Sequence, residues 1–200
     1  GTLALSDVEV TGSKHGAAIA DVATAAEPAR LTVFGSTITG NSPDGLTSAH
    51  AGGIEVIASQ VGAQPQVTVA DSTIAGNTGP EGSQSAGAIY SAVPQSAAVT
   101  LIGDTITDNS DARGTGGVAD RTNNGIQMAN TLLAGNTSEG APSDCSGQLA
   151  DATGGHNLLG SDSGCSGLTN ATNGDIVNSP AGLGTLGLNG GTTQTTPLQP

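Results

Sequence analysis

The chain has 200 residues, with 17 Asp or Glu against 4 Lys or Arg, so its formal net charge at pH 7 is −13. It contains one Tyr, one Phe and no Trp. Nucleic-acid binding needs a basic surface and often stacking aromatics, so this composition excludes a nucleic-acid partner. The apolar runs are shorter than the roughly 18 residues of a membrane-spanning helix, so no membrane insertion is expected. Gly1–Val10 lacks a signal-peptide pattern, and we expect any export signal to lie outside this sequence.

An eleven-residue unit occurs five times along the chain. The copies read LALSDVEVTGS, LTVFGSTITGN, VTVADSTIAGN, VTLIGDTITDN and IQMANTLLAGN. Their starts are 27 to 36 residues apart, so the unit is constant while the connections vary in length. A shorter match, such as Gly52-Gly53-Ile54, follows each of the first four units. A constant unit with variable connections is typical of a solenoid, here with three short strands per repeat.

Apolar and polar residues alternate within each unit, as in Leu31, Thr32 and Val33, which is the pattern of a strand with one buried face. Short strands of this kind cannot bury a core alone, but successive coils can stack about 4.8 Å apart. The sequence therefore predicts an all-β parallel β-helix of about five to six coils. Residues 1–136 are predicted to form the regular coils. Residues 137–200 are predicted to form C-terminal coils and an irregular, disulfide-linked segment of the same domain.

Aligning the repeats predicts three internal aliphatic stacks. They are Leu3, Leu31, Val67, Val99 and Ile126; Val10, Ile38, Ile74, Ile106 and Leu133; and Ile19, Ile54, Ile89 and Val118. A core this narrow leaves little room for aromatic rings, which accounts for their scarcity.

The residue that closes each unit is usually asparagine. These residues are Asn41, Asn77, Asn109 and Asn136, with Ser13 at the same position of the first unit. Asparagine tolerates the left-handed backbone conformation of a sharp corner, and its amide can bond to the asparagine of the next coil. The pattern predicts a structural asparagine ladder and no ligand site.

Threonines recur at positions predicted to point outward from the strands. The rows are Thr32, Thr68 and Thr100; Thr37, Thr73 and Thr105; and Thr11, Thr39 and Thr107. We interpret them as β-forming residues on a solvated face. A regular Thr-x-Thr array also suggests ice binding, but Ala75 and Glu9 interrupt it. Ice binding is therefore the third hypothesis for function.

The repeats and an ordered C-terminal series together resemble a known family. That series comprises Asn130–Asn136, Asp144-Cys145, Gly154–Gly160, Gly164-Cys165 and Leu186–Thr195. With the repeated STI[TA]GN-like strings, it resembles bacterial right-handed β-helix surface proteins of the choice-of-anchor Q and polymorphic outer-membrane-protein repeat type.

The resemblance implies a right-handed coil and an exported, often cell-surface-attached protein. Family members are mostly of unknown activity, some are described as pectate-lyase-like from shape, and the resemblance supplies no catalytic motif. They typically continue beyond Leu198–Pro200 into a Gly-Ser-Pro segment, and this chain begins within a repeat. We therefore expect it to be a piece of a longer surface protein.

A polysaccharide lyase would need carboxylates to hold calcium and a Lys or Arg to accept a proton. Only one group of residues offers both, and it consists of Asp104, Asp108, Asp111, Arg113, Asp120 and Arg121. We interpret these residues as solubilising charges on exposed loops, because three of the acids fall at turn-like positions. A glycoside hydrolase needs paired carboxylates, for which Asp104 and Asp108 are the candidates, but an aromatic sugar platform is missing. The sequence predicts no catalytic residue and no cofactor.

Cys145 and Cys165 are the only cysteines, and their even number in an exported type of sequence predicts a disulfide. The alternative is a metal site formed with His156 and Asp162. Structural zinc sites usually contain close CxxC or HxxxH pairs, which this chain lacks, so no metal is predicted.

The leading hypothesis is a non-catalytic extracellular or bacterial cell-surface scaffold, similar to an adhesin module. Its expected partner is another copy of itself, end to end or side by side, or a surface glycan or protein. Unpaired strand edges at the ends of a β-helix favour such association. The alternative is a part of a carbohydrate-active, pectate-lyase-like β-helix enzyme.

Overall fold

The computed structural model describes residues 1–24, 28–44, 48–60, 62–80, 84–94 and 98–199. Every regular element in these ranges is a β-strand, and they contain no helix that could span a membrane. The strands are β1 (Thr2–Ser6), β2 (Glu9–Thr11), β3 (Ile19–Ala23), β4 (Pro28–Phe34), β5 (Thr37–Thr39), β6 (Ile54–Ala58), β7 (Gln64–Ala70), β8 (Thr73–Ala75), β9 (Ile89–Ala92), β10 (Val99–Ile102), β11 (Thr105–Thr107), β12 (Ser110–Asp111), β13 (Val118–Asp120), β14 (Ile126–Ala129), β15 (Leu132–Leu133), β16 (Thr137–Ser138), β17 (Ala141–Pro142), β18 (Cys145–Asp151), β19 (Leu158–Leu159), β20 (Cys165–Ser166) and β21 (Ile176–Val177).

The chain is a parallel β-helix, as the sequence predicts. Sheet A consists of β1, β4, β7, β10 and β14, and sheet C consists of β3, β6, β9 and β13. Strand β18 pairs in parallel with both β14 and β13 and so joins sheets A and C. Strand β20 pairs with β18 alone and completes an eleven-stranded sheet. Sheet B contains the seven strands β2, β5, β8, β11, β15, β19 and β21. A small third sheet, β12-β16-β17, lies at a corner.

All three predicted aliphatic stacks are confirmed by the strand register. In sheet A, for example, Leu31 pairs with Val67, and Val67 pairs with Val99. The second stack continues beyond the predicted repeats through Leu159, and the third continues from Val118 into Cys145. Most of these side chains are buried in one continuous core. The alternation of apolar and polar residues therefore directs one face of each strand toward the inside of the coil.

Each corner between sheets A and B contains at least one residue with a positive φ angle, and the two corners nearest the C-terminus contain several. The seven residues in this column are Asp7, Gly35, Asp71, Gly103, Asn130, His156 and Gly174. Glycine, asparagine and aspartate tolerate this left-handed conformation better than other residues, so their recurrence at one step of the coil sets the position of the bend.

Residues 182–199 form an antiparallel hairpin, with bridges between Gly187 and Thr195 and between Leu183 and Leu198. We call it the C-terminal hairpin. It lies on the outer face of sheet B, where the hydroxyl of Thr37 donates to the carbonyl of Gln194 at 2.7 Å.

The predicted solvent exposure of the threonine rows is therefore wrong for part of sheet B. Thr37, Thr73 and Thr107 are buried, while Thr32 on the outer face of sheet A is exposed. Sequence periodicity gives the side of the strand on which a residue lies, but it does not show that another segment covers that side.

Candidate functional site

The candidate catalytic acids lie at separate corners of one coil. Asp104 lies between β10 and β11, Asp108 follows β11, and Asp120 ends β13. Arg113 and Arg121 are exposed. Within the described ranges, no ion pair joins either arginine to Asp104, Asp108, Asp111 or Asp120. The structure therefore does not bring the six candidate residues together as one charged cluster.

The interpretation of these acids as exposed loop charges is also wrong for three of them, because Asp104, Asp111 and Asp120 are buried. One oxygen of Asp111 accepts the backbone N–H groups of Arg113 and Gly114, at 2.8 and 2.5 Å. Asp120 accepts from the backbone of Gly125 at 2.8 Å. Carboxylates that accept several backbone donors hold the conformation of a turn, so these acids have a structural role.

Asp108 is the exposed member of the group, with a φ of 55°. It occupies the corner position that is glycine in the other four repeats. Those glycines also have positive φ angles and are Gly12, Gly40, Gly76 and Gly135. The local backbone thus accounts for the position of Asp108, while its carboxylate stays available at the surface.

Asp104 combines burial with two backbone hydrogen bonds. Its carboxylate accepts the backbone N–H groups of Ser72 and Ile102, each at 2.9 Å. Burial raises its pKa to about 7, although the two N–H groups act in the opposite direction. Asp71 raises the pKa further through like-charge repulsion.

The asparagine ladder is confirmed. Each of its asparagines donates a backbone N–H and a side-chain Nδ2–H to the Oδ1 atom of the next residue in the series, at 2.9–3.2 Å between asparagines. The series runs through Asn41, Asn77, Asn109 and Asn136 and ends at Asp144. All five side chains are buried. The Nδ2 of Asn77 also donates to the carbonyl of Ile38 at 2.9 Å, so the ladder fastens sheet B as well as the corner.

A second ladder, which was not predicted from the sequence, lies at the corner between sheets A and B. The backbone N–H of each residue donates to the side-chain oxygen of the next, at 2.8–3.4 Å. The series is Val8, Ser36, Ser72, Asp104, Thr131, Asn157 and Asp175. A signal was available, because small hydrogen-bonding residues stand directly before six of the seven sheet B strands.

A groove of about 440 Å³ lies where the C-terminal hairpin leaves the coils. Its walls include Asp108 and Asp144 on the coil side and Pro180 and Leu183 on the hairpin side. Burial raises the pKa of Asp144, against hydrogen bonds from Asn136 and from the backbone of Ser161. One exposed carboxylate and one carboxyl group with a raised pKa thus border the same groove.

His50, Glu55 and Tyr90 form a second cluster, on the outer face of sheet C. The backbone N–H of His50 donates to Glu55 Oε2, and its ring stacks on Tyr90 with centroids 4.8 Å apart. Burial raises the pKa of the Tyr90 hydroxyl, against the attraction of the Arg121 charge. The contacts attach the segment before β6 to two neighbouring strands, since Glu55 and Tyr90 pair in the sheet.

The predicted disulfide between Cys145 and Cys165 is confirmed. It joins β18 to β20, which pair in parallel. Both thiols are used in this bond, so the alternative metal site formed by Cys145, His156, Asp162 and Cys165 is wrong. In the described ranges, no group of three or more His, Cys, Asp or Glu side chains is arranged to hold a metal ion.

Comparison of the chain with protein-family models, curated proteins and solved structures finds no match.

Proposed function

We propose that this chain is a non-catalytic extracellular or cell-surface β-helix scaffold, similar to an adhesin module. It presents loops of different length from a rigid coil, and its partners are other copies of itself or a surface glycan or protein. Its resemblance to bacterial β-helix surface proteins of the choice-of-anchor Q and polymorphic outer-membrane-protein repeat type is part of this proposal.

The observation that carries the proposal is the use of the buried carboxylates. Asp104 belongs to a ladder, Asp111 and Asp120 hold turns, and Asp144 ends the asparagine ladder. A catalytic acid or base must reach a substrate atom at hydrogen-bond distance, and a buried carboxylate that already accepts several N–H groups is poorly placed for that.

The disulfide supports the proposed extracellular location, because disulfides persist in oxidising compartments and are rare in the cytosol. The two ladders support the role of a rigid scaffold, since buried and satisfied polar networks favour one register of the coils over its alternatives.

The experiment is an assay of the purified protein for lyase and hydrolase activity. With calcium and pectate we expect no absorbance from unsaturated uronates, and with neutral glycans we expect no new reducing ends. The variants Asp108→Ala and Arg113→Ala should also leave binding to cells or to glycan arrays nearly unchanged. Activity above background that Asp108→Ala abolishes, with or without loss in Arg113→Ala, would overturn the scaffold proposal.

A carbohydrate-active enzyme is the second candidate, and the groove beside the C-terminal hairpin is the observation that favours it. Asp144 and Asp108 both line this groove; burial raises the pKa of Asp144, and a carboxyl group with a raised pKa can act as a general acid. The variant Asp108→Asn tests this function, because it removes the exposed carboxylate and leaves the ladder intact. Glycan cleavage that is lost in Asp108→Asn and kept in Arg113→Ala would support it.

A further inference from the structure

The C-terminal hairpin is held together by its own hydrogen bonds. The backbone N–H of Gly187 donates to the carbonyl of Thr195 at 3.0 Å, and the N–H of Thr195 donates to the carbonyl of Gly187 at 2.9 Å. At the tip, the Nδ2 of Asn189 donates to the carbonyls of the same two residues. Because these bonds are internal, the hairpin can change its position as one unit.

The hairpin tip is attached to the first two coils by three side-chain hydrogen bonds. Thr37 Oγ1 donates to the Gln194 carbonyl at 2.7 Å, and Thr193 Oγ1 donates to the Gly35 carbonyl at 3.1 Å. Gln194 Nε2 donates to Glu9 Oε1 at 3.0 Å. These bonds join residues 157 to 185 positions apart in the sequence. Thr37 and Glu9 of sheet B, with Gly35 just before β5, therefore supply one hydrogen-bond donor and two acceptors to this hairpin.

The hairpin leucines are only partly covered by this attachment. Leu188 and Leu198 are 69% and 71% exposed, and the other two leucines of the hairpin are half-buried. Residues Pro180–Leu183, which lead into the hairpin, border the open groove, and the N–H of Ser179 just before them donates to the Leu159 carbonyl of β19 at 3.4 Å. An intramolecular hydrogen bond contributes only about 0.5–1.5 kcal/mol net, because its groups bond to water when it breaks. The hairpin is thus positioned by contacts that can open and re-form.

We propose that sheet B is a docking surface for the C-terminal hairpin of a second copy of this chain, so that two copies exchange hairpins reciprocally. The exchange re-creates every contact between hairpin and sheet and alters only the junction between β21 and the hairpin. Exchange of an identical element is a low-cost route to a dimer for this reason. The proposal rests on the self-association that is part of the proposed function, and it names the surface and the segment responsible.

The charge of the chain sets the conditions for this exchange. Two copies with a formal net charge of −13 each repel one another. The Debye length falls from about 10 Å at 0.1 M salt to about 3 Å at 1 M, so salt removes most of this repulsion. We expect the exchanged dimer to form at high protein concentration in 1 M salt and to be rare at low salt.

The test uses two full-length variants, Thr37→Cys and Gln194→Cys, which place one new thiol each on the two sides of the contact. They are purified separately, mixed in 1 M salt, oxidised and analysed by mass spectrometry without reduction. We expect a covalent heterodimer linked between positions 37 and 194. Its yield should exceed, by about tenfold or more, that of a control mixture with Thr100→Cys in place of Thr37→Cys, because docking raises the effective thiol concentration. Thr100 lies in β10 of sheet A, away from the hairpin contacts.

A single chain with both substitutions shows whether the hairpin can form the bond within one molecule. Intramolecular bonding in that chain, with a heterodimer yield equal to the Thr100→Cys control, would overturn the exchange. Light scattering of the unmodified protein separates this failure from that of the proposed function. A dimer that is present but not cross-linked between positions 37 and 194 would contradict the exchange. It would also show that the chain self-associates through another surface, as the proposed function allows.

Discussion

Asn136 donates both its backbone N–H and its side-chain Nδ2–H to one oxygen of Asp144, each at 2.8 Å. The Oδ1 atom of an aspartate accepts hydrogen bonds, and the side chain has no amide to pass them on, so it can end a series in which every asparagine donates to the next. The second ladder ends in the same way, with Asn157 donating to Asp175. Both ladders therefore run in one direction along the coil and finish at an aspartate.

The first prediction concerns the middle of the asparagine ladder. Asn77→Leu removes the acceptor for two donors of Asn41 and leaves the carbonyl of Ile38 without its side-chain donor. An unmet buried polar group costs about 1–3 kcal/mol, so we expect the free energy of unfolding to fall by at least this amount. Urea denaturation measures it. The control is Gln148→Leu, an amide-to-leucine change at an exposed position, and an equal loss in both variants would contradict the ladder's role.

The second prediction concerns pH and Asp104. Its pKa is raised to about 7 by burial in the folded chain, against a reference of 3.8. Between these values the folded protein binds a proton that the unfolded chain does not bind. The contribution of Asp104 to stability is therefore complete below about pH 4 and is lost as pH rises through about 7, with a slope of at most about 1.4 kcal/mol per pH unit.

Asp104→Ser tests this linkage, because the second ladder already contains serine at two neighbouring positions. Ser36 and Ser72 accept the N–H of the preceding coil and donate their hydroxyls to the carbonyls of Phe34 and Ala70. We expect Asp104→Ser to flatten the pH dependence of unfolding between pH 4 and 7 and to be more stable than the unmodified protein at pH 8. Asp162→Ser, an exposed change, should keep the original slope. An unchanged slope in Asp104→Ser would show that Asp104 is not the group responsible.

The two ladders differ in how visible they are in the sequence. Asn41, Asn77 and Asn109 repeat one residue type at one step of the repeat, so their alignment predicts a ladder directly. The second ladder uses hydroxyl, carboxylate and amide oxygens in turn, because any of them can accept one N–H. In that ladder Ser72 accepts a backbone N–H through its hydroxyl oxygen, and Asp104 accepts one through a carboxylate oxygen. The period-two pattern likewise predicts the aliphatic stacks, because burial on one face requires it.

The position of the C-terminal hairpin could not be predicted from the sequence. Thr193 and Gln194 contact Gly35, Thr37 and Glu9 across more than 150 positions, with no periodicity to signal the contact. The groove beside its junction depends on this placement, and so do the contact that covers Thr37 and the candidate docking surface. Contacts made once in a fold leave no repeated pattern, whereas contacts made in every coil do.

The third prediction concerns the disulfide. Cys145 continues the third aliphatic stack beside Val118, so it has a packing role as well as a covalent one. The double variant Cys145→Val and Cys165→Ala keeps an aliphatic side chain in the stack and removes the cross-link. We expect its free energy of unfolding to fall by about 3 kcal/mol, because the unfolded chain regains the conformational entropy of a loop closed by cysteines 20 positions apart. In hydrogen exchange, the amides of β18 and β20 should lose protection while those of β4 and β5 keep it. Equal loss in all four strands would contradict a local role for the bond.

The last prediction concerns the alternation of aspartate and glycine at the corner between sheets A and B. Gly103 has a φ of 69°, and a Cβ at this position would lie 2.6 Å from Asp71 Oδ1 of the preceding coil. Gly103→Ala should therefore lower the free energy of unfolding by about 1–2 kcal/mol from left-handed strain, with an added cost from displacing Asp71. In an Asp71→Gly background the added cost disappears, because the colliding oxygen is absent. A double-mutant cycle by urea denaturation should give a coupling of about 0.5 kcal/mol or more between the two positions. Additive effects would show that the side chain of Asp71 does not require glycine in the next coil.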